Sequence, residues 1–72
     1  MTMEQWRKRL EECLGEWAAI TATRDHASAA MYEQTHFWGR VDRIGQEHVS
    51  IVNTDFSKDR IHLADIRQMR KT

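Results

Sequence analysis

The residues with most chemistry to offer alternate along one stretch. Tyr32, Gln34, His36, Trp38 and Arg40 occupy successive even positions, so an extended chain places all five on one face. Aromatic rings stack on a base, and an arginine takes a phosphate through charge-assisted hydrogen bonds. Alternating aromatic and basic groups along one strand are what a nucleotide-binding platform needs. The competing reading is that Tyr32 and Trp38 pack under a helix or against a second subunit, as aromatics in small cores do. A second set, Arg43, His48, Arg60 and His62, could form an anion patch. Arg60 and His62 flank Ile61, and their even spacing points both away from a core. Its alternative is a solvated strand face.

Other reactive residue types form no such pattern. Cys13 is the single cysteine, so an internal disulfide is excluded. It lies on an apolar stripe, where a small buried residue is the ordinary reading, and no local signature supplies a catalytic base. His26, His36, His48 and His62 lack helical metal spacing, and there is no Cys-x-x-Cys. Asp42, Asp55, Asp59 and Asp65 form no metal loop, and no glycine-rich phosphate cradle is near them. A chain of 72 residues has little room for an enclosed pocket within one subunit. The expectation is therefore a binding protein without catalytic residues, cofactor or metal.

The elements that must position these residues follow from periodicity. Thr2 and Gln5 stand as a capping box, with Met1 and Trp6 at staple positions. Trp6, Leu10, Cys13, Leu14 and Trp17 follow the helical period, which predicts an amphipathic helix over 1–16 with Gly15 as its stop. Residues 18–30 read two ways. Ile20, Thr21 and Thr23 favour a strand, whereas the alanines and the spacing of Trp17, Ile20, Ala27 and Met31 allow a helix. The strand is the reading adopted. From Met31 the period is two, with Thr35, Phe37, Gly39 and Val41 opposite the even-numbered face. Gly39 inside the run marks a bend or a close backbone approach. Strands at 48–52, 60–63 and 66–69 follow, separated by turns at 45–47, 53–59 and 64–65, with a frayed tail at 70–72. The fold class expected is α+β, mostly β: one domain over 1–72, a helix followed by a strongly bent five-stranded antiparallel barrel over 17–69.

Three segments of the C-terminal half carry a resemblance: Gly39-Arg40-Val41-Asp42-Arg43-Ile44, Val49-Ser50-Ile51-Val52, and Ile61-His62-Leu63-Ala64-Asp65-Ile66. They resemble the YolD-like family, in which a strand containing Gly-x-hydrophobic leads to a hairpin and ends in an I-x-hydrophobic-x-D-I element. More distantly the pattern is similar to Sm and Hfq proteins and to SH3-like barrels. The match covers about half the chain and consists mostly of spaced apolar positions. The RNA-binding signatures of the Sm relatives do not carry over: there is no Arg-Gly pair near Ile66 and no Tyr-Lys-His element. The resemblance implies an accessory binding protein of bacteria, mobile elements or phages.

Size and charge complete the expectation. A domain this small is marginal on one core alone, which with three tryptophans points to a homo-oligomer, the alternative being a well-packed monomer. Eleven basic residues balance eleven acidic ones, which argues against binding nucleic acid through net charge but leaves a local patch open. No apolar run approaches the ~20 residues that span a bilayer, and Met1–Trp6 is no signal region, so a cytoplasmic protein without membrane contact is expected. Two functions fit, an adaptor or regulator of a protein or nucleic-acid partner, or a phage-type sponge that captures a cyclic nucleotide immune signal at subunit interfaces; a hydrolase with a composite site shared between subunits is the third reading.

Overall fold

The computed structural model describes residues 1–23 and 34–72. Helix α1 spans Met3–Glu11 and opens on the expected capping box. Gln5 N donates to Thr2 Oγ1 at 3.2 Å, and Thr2 N donates to Gln5 Oε1 at 2.8 Å. Trp6 and Leu10 are buried on one face, and Cys13 is buried just beyond the helix. The Arg9 guanidinium lies 5.6 Å from the centre of the Trp6 ring.

The helix is shorter than the 1–16 its apolar spacing predicts. Leu14 is 55% exposed, and Trp17 opens a strand. The reason is backbone competition. Gly15 N donates to Val41 O at 2.8 Å, and Val41 N donates to Glu16 O at 3.0 Å. Gly15 thus satisfies its N–H, and Glu16 its carbonyl, against the sheet, while Glu16 N donates to Cys13 O in the turn that closes the helix. The reversal needs a left-handed residue, and Gly15 supplies it with φ 82°. Met1 is exposed, with its sulfur 3.9 Å from Arg9 Nη1.

Five strands follow: β1 Trp17–Thr23, β2 Gln34–Ile44, β3 His48–Val52, β4 Lys58–His62 and β5 Ile66–Lys71. A single 3-10 turn, Leu63–Asp65, joins β4 to β5. The sheet is antiparallel throughout, in the order β4-β3-β2-β1-β5. The molecule is therefore α+β and mostly β, as expected. The sheet is open: β4 and β5 are its edges and do not pair with each other, so closure into a barrel is not among its pairings. The strand reading of residues 18–23 holds in β1. Met31 and Tyr32, expected to begin the long strand, lie outside the described residues.

Alternation divides the sheet into two faces. Ala18, Ile20, Ala22, Val41, Val49, Ile51, Ile61, Ile66 and Met69 point inward and, with Trp6, Leu10, Cys13 and Leu63, form the core. Phe37 and Ile44 pack partly against it. Gly39 is a point of close approach: a Cβ there would stand 2.6 Å from the Val52 carbonyl oxygen. Strand β5 extends further than 66–69. Arg70 and Lys71 pair with β1, Lys71 Nζ lies 3.0 Å from Glu16, and Thr72 N donates to Trp17 O. The expected frayed tail is therefore fastened.

Candidate anion site on the outer face

The helix packs on the inner face, so among the described residues the other side of the sheet is the exposed one. There the pairing register lines up cross-strand rows. Trp17, Arg40, Val52 and Lys58 are successive partners across β1, β2, β3 and β4. Arg43, Ser50 and Arg60 are partners across β2, β3 and β4, and His48 faces His62 beyond them.

Arg43 reaches this face through an irregularity. Strict alternation from inward-facing Val41 would turn Arg43 toward the core. Between Val41 and Arg43 the register shifts by one residue, Asp42 being the extra one. Asp42 and Arg43 are both exposed, and Ile44 is half-buried. A bulge changes the phase of a strand in this way and re-aims a side chain. The Asp42 carboxylate reaches across β3 to Lys58 Nζ at 3.6 Å.

The second row borders a cleft of about 560 Å³ lined by Arg43, Gly45, Gln46, Glu47, His48, Ser50 and Arg60. Arg60 Nη2 lies 3.4 Å from His48 Nδ1, and because a guanidinium only donates, the imidazole accepts there. The His48 and His62 rings meet edge to face at 4.8 Å. His62 Nδ1 accepts from Ala64 N at 3.0 Å, capping the 3-10 turn and placing the proton of the neutral ring on Nε2. His62 therefore braces His48 and the β4–β5 connection rather than lining the cleft. Among the described residues, no carboxylate pairs with Arg43 or Arg60 at ion-pair distance. Two guanidiniums, one hydroxyl and one imidazole thus surround the opening, with Glu47 the one carboxylate in its lining. Such a donor set suits a multiply charged oxyanion.

The even-numbered platform of β2 is divided among different surroundings. His36, Trp38 and Arg40 do share the outer face. His36 Nδ1 is 3.0 Å from Thr21 Oγ1, in a small separate cleft with Gln68 and Arg70. Trp38 is 50% exposed, packs on Trp17 at 4.6 Å between ring centres, and donates from Nε1 to Thr72 Oγ1 at 3.1 Å. Arg40 borders a third cleft with Trp17, Val52 and Phe56. Tyr32 lies outside the described residues. The structure thus brings Arg43, His48 and Arg60 together and sets His36 apart from them.

Sequence reasoning missed Ser50, Trp17 and Phe56. Ser50 was visible as an even position beside His48. Trp17 was masked by its fit to the helical period, and Phe56 by its place in a turn.

Among the described residues no helix is long and apolar enough to cross a membrane, and no three metal-ligating side chains converge. The fold and site define a small α+β domain that presents an open antiparallel sheet with a cationic cleft. No family model, curated protein or solved structure matches the chain.

Proposed function

We propose that the chain is a non-enzymatic binding protein that holds a phosphate-bearing partner in the cleft of Arg43, His48, Ser50 and Arg60. The observation that carries this reading is the cross-strand row itself. Three strands contribute donors to one opening, and neither arginine is neutralised by a carboxylate among the described residues. An overall charge of zero makes this local arrangement, rather than the general field, the source of anion affinity.

The oligomeric adaptor implied by the YolD-like and Sm-like resemblance fits this reading. Among the described residues, strands β4 and β5 are the two edges of the sheet. Pairing β4 of one copy with β5 of the next would extend the sheet, curl it and build a homo-oligomer. Cleft residues lie on β4, so such pairing would set successive clefts side by side. A buried lone thiol, Cys13, suits the cytoplasm.

The test is calorimetric titration of the full chain with pyrophosphate. The wild type is expected to bind, and Arg43→Ala and Arg60→Ala are each expected to weaken binding about tenfold, the scale of one hydrogen bond to a charged group. Glu47→Gln is expected to bind at least as tightly as wild type. No heat of binding at millimolar pyrophosphate, or wild-type affinity retained in both arginine variants, would refute the assignment. Light scattering over a range of protein concentrations tests self-association, and a monomer throughout removes the oligomer.

A further inference from the structure

The apolar end of the outer face holds a feature that the anion cleft does not use. Phe56, at the tip of the β3–β4 hairpin, is 87% exposed and adopts φ 67°. A bulky residue avoids that region unless its surroundings impose it. Here they do. The Asp55 carboxylate accepts from Ser57 N at 3.0 Å and from Ser57 Oγ at 2.6 Å. Asn53 Nδ2 donates to Ser57 Oγ at 2.9 Å and to Asp59 Oδ2 at 2.8 Å. Phe56 N donates to Asn53 O, and Asn53 N to Ser57 O. Each of these bonds can form with any side chain at position 56, so the network fixes a backbone that presents an aromatic ring to water. A hairpin tip needs no such ring.

Behind Phe56 lies a cleft of about 370 Å³, lined by Trp17, Arg40, Val52, Asn53, Thr54 and Phe56. Its floor is the first cross-strand row: Trp17, Arg40 and Val52 are partners on β1, β2 and β3. Val52 is nearly buried yet stands outside the main core, as a residue covered from the outer side would. Trp38 supports Trp17 from beyond. Arg40 has no carboxylate partner among the described residues.

This slot adjoins the anion cleft. Val52 and Ser50 are neighbours on the same side of β3, about 7 Å apart along the strand. Between the two openings the Asp42–Lys58 ion pair bridges over β3, so the carboxylate nearest the path is already neutralised.

We propose that the slot of Trp17, Val52 and Phe56 receives the base of a nucleotide whose phosphates occupy the Arg43–Arg60 cleft. The assignment rests on the anion reading above and narrows its ligand to a nucleotide. Stacking on aromatic rings supplies affinity for any base, and Arg40 at the rim adds a cation to a ring face or to the nearer phosphate.

The experiment compares pyrophosphate with ADP, GDP, CDP and UDP on the full chain, by calorimetry and tryptophan fluorescence. At least one nucleoside diphosphate is expected to bind tenfold or more tighter than pyrophosphate and to quench fluorescence. Phe56→Gly relaxes the backbone at an exposed position and leaves the core untouched. It is expected to lower nucleotide affinity toward that of pyrophosphate while pyrophosphate binding is unchanged. If pyrophosphate binds and no nucleotide exceeds it, or Phe56→Gly leaves nucleotide binding intact, the slot is refuted and the anion cleft stands. If Phe56→Gly instead lowers the mass of an oligomer with no effect on nucleotide affinity, a second copy fills the slot and the assignment falls. If neither pyrophosphate nor any nucleotide binds, both readings fall.

Discussion

Replacing Gly39 by alanine places one methyl group against a backbone that has no room for it. The added carbon would lie 2.6 Å from the Val52 carbonyl oxygen and 3.1 Å from its carbonyl carbon. The nearest atoms belong to main chain, so no side-chain rotation relieves the contact. Strand β3 must move away from β2 at the Arg40–Val52 pair. Overpacking of this kind costs about 1–3 kcal/mol. Alanine recovers about 0.4–1 kcal/mol by restricting the unfolded chain. A net loss of roughly 1–2 kcal/mol follows, which in a domain of this size lowers the melting temperature by about 4–16 °C. Gly45→Ala is the internal control. Its nearest contact is the His48 carbonyl oxygen at 3.4 Å, and Gly45 has no positive φ, so stability should change little. Urea denaturation and thermal melts of the two variants decide the matter. A Gly39→Ala protein as stable as Gly45→Ala would show that β2 and β3 have slack at this crossing, and the explanation of Gly39 would be lost.

Two further outcomes follow from core and loop. Leu10 is fully buried between the helix and the sheet, so Leu10→Ala should cost about 2–5 kcal/mol and leave a large unfolded fraction at room temperature, read by circular dichroism. The hydrogen bonds from Ser57 hold the Asp55 carboxyl below its ordinary value of 3.8. A lowered folded value means the turn is fully supported above pH 3.8 and loses that support as pH falls through the lowered value. The Ser57 amide resonance should therefore titrate below pH 3.8, and Asp55→Asn should abolish that titration.

Much of this arrangement was legible in the residues, for physical reasons that also mark where legibility stops. The two faces of β2 could be read because a half-buried strand must alternate, and Thr35 to Val41 does so cleanly. Gly39 announced a close approach because little else excludes a side chain from a strand interior. The capping box was readable because it is local. The helix end was not, because Gly15 and Glu16 are claimed by Val41, a residue far along the chain. Trp17 fits the helical period as well as it fits a strand, and only that long-range pairing separates the two. The orientation of Arg43 depends on the bulge at Asp42, which has no glycine or proline to betray it. The arginine does share a row with Ser50 and Arg60, yet alternation alone would have turned it inward. Phe56 was hidden because turn composition describes backbone habits and says nothing about a ring standing in solvent.

The two faces of the sheet share almost no residues, and that separation has an evolutionary consequence. Stability is invested in the side that meets the helix, while the rows of Trp17 and Arg43 rest on strands already secured from beneath. Mutation can redraw the exposed surface position by position without renegotiating the architecture that carries it. A scaffold so divided leaves one half open to change while its hidden half stays still.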